Sequence, residues 1–144
     1  MVRMILGIVL GYIAMSVALF VMFSGLYMVL GTAGSFKEGS YFVSSTWLFA
    51  GFVIFFIAAA IAGIVAALVG KDAKTAFWMG GVILILGILI AISQVVSAPS
   101  NTAREAAEVA LMDAMNMAQQ PVWALIVNPI VGFLGALTGG KLRK

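Results

Sequence analysis

The sequence predicts an all-α integral membrane protein: a four-transmembrane-helix antiparallel bundle with an additional amphipathic helix on the outer side, between the third and fourth crossings. Three observations lead there. Four apolar runs, residues 4–30, 47–69, 75–98 and 121–138, contain none of the chain's eight Lys or Arg and five Asp or Glu residues. Their lengths of 27, 23, 24 and 18 residues meet or approach the ~20 apolar residues that span a ~30 Å hydrocarbon core at 1.5 Å rise per residue. The charges fall only at the chain ends and in three short connectors.

Composition agrees. The 144 residues are 64% hydrophobic and 9% charged, with a mean hydropathy of +1.19, whereas a soluble domain carries about a quarter charged residues. The runs take up most of the chain, so residues 1–144 read as a single membrane domain. The net charge of +3 comes with no basic stripe and no aromatic-interleaved patch, so no nucleic-acid partner is expected.

The first run follows Arg3 and is longer than the 7–15 apolar residues of a secretory signal, so it is expected as a retained helix. At 27 residues it is long enough to tilt or to project beyond the lipid. The connector 31–46 is rich in Gly, Ser and aromatic residues and shows no regular pattern. The second run opens at Trp47. The turn Gly70-Lys71-Asp72-Ala73-Lys74 is a tight helical-hairpin connection. The third run ends at Pro99-Ser100-Asn101-Thr102, where Thr102 and Glu105 have capping-box spacing for a new helix.

Residues 102–119 are expected as that helix. Ala103, Ala106, Ala107, Ala110, Leu111, Ala114, Met117 and Ala118 would share one face, away from Glu105, Glu108, Asn116 and Gln119. An alanine face packs closely and buries little area, which suits the outer surface of the bundle or a partner protein. The fourth run contains Asn128-Pro129, and proline removes a backbone donor and disfavours α geometry at the preceding residue. Transporters use such breaks to expose backbone to substrate; ordinary kinked helices contain them more often, and no matching break or internal repeat occurs in the first half of the chain.

In lipid, small residues rather than apolar ones mark the contact faces. At 100° per residue, Gly7, Gly11, Ala14, Ala18 and Gly25 share a face of the first run. On the second run the set is Gly51, Ala58, Ala59, Ala62, Gly63, Ala66 and Gly70. Ala76, Gly80, Gly87, Ala91 and Gln94 share a face of the third, and Ala124, Asn128, Gly132, Gly135 and Gly139 share one of the fourth. Gln94 and Asn128 are the two amides on these faces. An unsatisfied amide in hydrocarbon is costly, so both are expected to point into the bundle and to bond each other, as glue between helices or as a polar site for a ligand or ion.

The charges orient the chain. Four crossings put Arg3, Lys71, Lys74, Lys141, Arg143 and Lys144 on one side and only Lys37 and Arg104 on the other, where Glu38, Glu105, Glu108 and Asp113 also fall. The positive-inside rule then predicts both termini in the cytoplasm, with the bacterial inner membrane as the expected location. Trp47 and Trp123 would sit at the outer headgroup level and Trp78 at the inner one.

Several chemistries are excluded by residue type. Without Cys there is no disulfide, thiol nucleophile or cysteine-held cluster. Without His the commonest zinc and copper ligand is missing, as is the side chain most used for proton transfer near neutrality. Met112, Met115 and Met117 have thioethers suited to Cu(I), but on a helix Met112 and Met117 would point ~140° apart; gap-filling contacts are the simpler reading. Glu105 and Glu108 read as a solvated face. No catalytic residue, cofactor or metal is expected, and none of the runs carries the intramembrane charge that marks ion and proton paths. The functional expectation is a small non-catalytic accessory subunit that braces or helps assemble a larger membrane protein complex, with membrane lipids and other membrane subunits as partners. The alternative is a small-molecule or ion channel or transporter acting as a homo-oligomer.

Overall fold

Helix α1 runs from Val2 to Ser35, 34 residues and about 50 Å at 1.5 Å rise, so it outreaches the hydrocarbon thickness of a bilayer. This description comes from a computed structural model, which describes residues 1–99 and 102–142. Near its end α1 is interrupted at Gly31, whose φ of 62° and ψ of −173° suit a residue without Cβ. Helix α2, Ser45–Gly70, starts where Ser44 Oγ accepts the Trp47 N–H at 3.1 Å, the N-cap that satisfies an otherwise orphan donor. Asp72 caps α3, Ala73–Val96, by accepting the Lys74 N–H at 2.9 Å. A seven-residue helix α4, Leu111–Met117, precedes α5, Val122–Leu142. Helices α1, α2, α3 and α5 are each long and apolar enough to cross a membrane.

The four long helices alternate in direction. The turn Lys71–Asp72 and the start of α1 lie together at one end, here the terminal end, and the connectors 36–44 and 97–121 lie at the other, the loop end. Helix α2 is the hub and packs on α1, α3 and α5; α5 packs on α2 and α3. Among the described residues α1 and α5 share no interface.

Backbones approach closely where glycines stand. A Cβ at Gly63 would lie 2.0 Å from the Ala136 carbonyl oxygen, and one at Gly139 would lie 1.9 Å from that of Ala60. No side chain fits at such separations, so α2 and α5 meet backbone to backbone. Gly7 and Gly11 sit the same way over the carbonyls of Ala66 and Ala62 at 2.7 and 2.8 Å. The buried core between them is Met15, Ala58, Ala59, Ala62, Ala66, Met79, Ile83 and Ala136. With lipid as apolar as leucine, this dense dispersion contact is what favours helix on helix.

The contact stripes are inclined to the helix axes. On α1 one row of buried or half-buried positions steps by four: Gly7, Gly11, Met15, Leu19, Phe23 and Tyr27. On α3 they are Thr75, Met79, Ile83, Gly87 and Ala91. These are i±4 rows, which run obliquely across a helix surface. The row leaves Gly25 outside: it is exposed, and a Cβ there would meet nothing within 4 Å.

The loop end departs from the expected helix over 102–119, which shortens to Leu111–Met117. Residues 102–104 instead pair with the first connector. Tyr41 N–H donates to Thr102 O at 2.9 Å and Arg104 N–H to Gly39 O at 2.8 Å. The Arg104 guanidinium takes the carbonyls of Ala106 and Ala107 at 2.7 and 3.1 Å, acceptors that a helix would have used. Val109 is held at both backbone groups. Its N–H donates to Thr32 Oγ1 at 3.0 Å, and its carbonyl accepts from the Tyr27 hydroxyl. With its own proton on Val109, Tyr27 accepts from Thr32 at 2.9 Å, which closes a ring of three bonds. Tertiary partners thus outcompete the local capping signal. A second apolar cluster, Tyr27, Phe36, Val43, Trp47 and Ala114, ties this layer to α1 and α2. The connector 31–46, expected without regular structure, begins with the last turn of α1, bridges to itself at Phe36 and Val43, and bridges to Ala103 and Gln119 through Ser40 and Phe42. Of the turn expected to end α3, Ser100 and Asn101 lie outside the described residues.

Candidate functional site

Proline at 129 is the local cause of the site. It has no N–H to offer the Leu125 carbonyl, yet α5 continues through it without the interruption expected from the sequence. The ring is buried and needs room, and Gly87 of α3 supplies it: a Cβ at Gly87 would lie 2.7 Å from Pro129 Cγ. Beyond that contact, toward the loop end, α3 draws away from its neighbours. From Leu84 to Val96 only Ala91 is buried.

A cavity of about 280 Å³ opens there between all four long helices, walled by Leu19, Phe23, Trp47, Phe55, Ala91 and Pro129 among others. Beside the Trp47 indole, its polar side chains are three carboxamides, Gln94, Gln120 and Asn128. A second cavity of about 590 Å³ lies above it, between the end of α3, α4 and the start of α5. The two share Gln94, Gln120 and Leu125 as common wall. None of the lining residues described is charged.

The expected Gln94–Asn128 hydrogen bond is not made. Asn128 Nδ2 donates instead to Gln120 Oε1 at 2.9 Å, because Gln120 lies two turns back on the same segment while α3 diverges. Gln94 is exposed and, among the described residues, has no hydrogen-bond partner. Both expected amides do line the lower cavity. Gln120 carries the third amide and was not singled out, since it falls between the segments 102–119 and 121–138. The available signal was its type: it is an amide on the side where Gln94 and Asn128 were already placed.

The glycines separate by partner. Gly7 and Gly11 face α2; Gly135 and Gly139 face Phe56 and Ala60 of α2. Gly80 lies against the Phe133 ring, Gly87 against Pro129, and Gly132 against both Ile83 and Phe55. The hydroxyls of Ser16 and Thr138 bond the carbonyls four residues back, at 3.0 and 2.9 Å, while Ser24 Oγ is buried without a partner. Met115 and Met117 line the upper cavity and Met112 is outside its wall. Among the described residues no three His, Cys, Asp or Glu side chains come together as a metal site would require. Glu105, Glu108 and Asp113 are exposed.

At the terminal end a third, shallower cavity of about 550 Å³ is lined by Arg3, Asp72, Lys74 and Trp78 among others. Comparison with family models, with curated proteins and with solved structures finds no match to this chain.

Proposed function

We propose that this chain is a multi-pass protein of the bacterial inner membrane, with both termini in the cytoplasm, and that it acts as a small non-catalytic accessory or structural subunit of a larger membrane protein complex. The observation that carries the reading is the closure of the bundle's terminal half. There Ala58, Ala59, Ala62, Ala66, Met79 and Ala136 are fully buried, and the helices meet at backbone separations that leave no passage. Between their end turns the long helices contain no Asp, Glu, Lys or Arg, so there is no intramembrane charge to move a proton or an ion. A buried, inert core of this kind gives rigidity rather than chemistry.

The outward surfaces support association in the membrane. Gly25 on α1 and Gly81 on α3 have no neighbour where a side chain would stand, which leaves room for a further helix to approach closely. Arg3, Lys74 and Trp78 around the terminal-end cavity suit contact with lipid headgroups. The six basic residues assigned to that end against two at the other support a cytoplasmic terminal end; Arg143 and Lys144 in that set lie outside the described residues.

The two loop-end cavities favour the alternative, a small-molecule channel or transporter, in one respect: they admit polar groups halfway into the bundle. They stop at Pro129 and Phe55, however, with Met15, Met79 and Ile83 buried beneath. A route through one chain is therefore blocked. A route between copies would have to run along apolar faces such as Ile85, Leu89 and Ile92. Mild detergent solubilisation from the native membrane, followed by native electrophoresis and mass spectrometry, tests the proposal. Migration in a larger assembly with other membrane subunits is expected. Recovery only as a monomer or homo-oligomer contradicts it.

A further inference from the structure

We infer that the two loop-end cavities form one binding site for a neutral amphiphile: a lipid-soluble molecule whose apolar body occupies the lower cavity and whose carbonyl or hydroxyl groups meet the carboxamides of Gln94, Gln120 and Asn128. The inference goes beyond the accessory-subunit reading and does not depend on it.

Four observations select this class of ligand. The volumes, about 280 and 590 Å³, lie at or within the ~300–1,000 Å³ range of small-molecule sites. The described walls contain no charged residue, and burying a charge there without a counter-charge is prohibitive, so the occupant is uncharged. The lower walls are rings and aliphatic chains, with Phe23, Trp47, Phe55 and Leu19 facing the space, which suits a ring or chain rather than a water file. The amides are under-used. Each carboxamide offers two N–H donors and an acceptor oxygen, yet the three make a single bond among themselves.

Gln94 also sits at the mouth, exposed and shared by both cavities, beside Ile90, which is 51% exposed. It can therefore meet the polar end of a molecule entering past α3, while Asn128, held by Gln120, meets one that is fully seated. Two sources share this chemistry: isoprenoid quinones, with paired carbonyls on a ring, and neutral glycerolipids, with ester carbonyls and a hydroxyl.

The test uses the full chain in phosphatidylcholine nanodiscs, carrying Trp78→Phe and Trp123→Phe. Both of these tryptophans are exposed and outside the walls, so Trp47 in the lower wall becomes the sole indole reporter. Decyl-ubiquinone, dioctanoylglycerol and, as a charged control with the same chain length as the first, decyl sulfate are titrated separately. A saturable change in Trp47 emission is expected with at least one neutral probe, and which one responds names the source. Gln94→Leu with Gln120→Leu should weaken that binding at least tenfold. Gly51→Leu, which adds a side chain beside Phe23 where a Cβ would have 3.5 Å of clearance, should abolish it with circular dichroism unchanged. Because Gln94 is exposed, Gln94→Leu alone leaves the fold intact and should also weaken binding, even if the double variant or Gly51→Leu does not fold. Absence of a saturable response to either neutral probe overturns the inference, as does equal binding of decyl sulfate or insensitivity to the amide substitutions.

Discussion

A methyl group at Gly139 would lie 1.9 Å from the Ala60 carbonyl oxygen, and one at Gly25 would touch nothing within 4 Å. The same chemical change therefore has opposite expected outcomes. Forcing atoms into a packed interface costs about 1–3 kcal/mol and sometimes more, and backbone cannot rotate out of the way. Gly139→Ala is expected to cost about 3 kcal/mol, whereas Gly25→Ala should be neutral or stabilising by up to about 1 kcal/mol, since an exposed helix position gains propensity and loses no contact. Reversible unfolding in dodecyl sulfate, followed by circular dichroism, measures both. Equal losses would mean that α2 and α5 do not meet as described. Most of the contact glycines could be read from the sequence because side-chain size is the one property lipid does not mask. Gly25 could not, for a geometric reason. Spacing at 100° per residue assumes a face parallel to the axis, while the real stripe on α1 follows an i±4 row through Met15, Leu19, Phe23 and Tyr27 and has turned away by that level.

At the scale of elements, the four long helices were legible because their signal is local: an apolar run has to end at a charge, a cap or a proline. The loop end was not. Thr102 and Glu105 announce a helix, but the partners of residues 102–104 are residues 39–41, about sixty positions earlier, and no local pattern records that pairing. Gln120 escaped for the same reason, as its role depends on where α3 departs from α5. That departure makes a prediction of its own. Spin labels at Ile90→Cys and Ile83→Cys, two turns apart on one face of α3, should differ: Ile90 is 51% exposed and Ile83 is 3% exposed. In nanodiscs the label at 90 is expected to be mobile and accessible to dissolved oxygen, and the label at 83 immobile and shielded. Equal shielding would mean that α3 stays packed beyond Gly87, and would remove the lower cavity.

Across the whole molecule, two ends differ in kind. The terminal end is packed backbone to backbone and ringed by Arg3, Lys71, Lys74 and Lys141; the loop end is layered, hydrogen-bonded through Tyr27, Thr32 and Val109, and opened by two cavities. A bilayer gives that polarity meaning. Basic residues are retained on the cytoplasmic side, rigidity lies where the helices are closed, and the proposed binding site lies where they part. The proposed inner-membrane subunit has its chain crossing the membrane four times with its basic end inside. The absence of cysteine makes this directly measurable, because any cysteine introduced is the only one. Glu38→Cys and Ala107→Cys stand at the exposed loop end, and Ala73→Cys at the exposed first residue of α3. Treatment of intact spheroplasts with a membrane-impermeant maleimide should label positions 38 and 107 at once, and position 73 only after the membrane is permeabilised. Labelling of all three in intact spheroplasts, or of position 73 alone, would contradict the account.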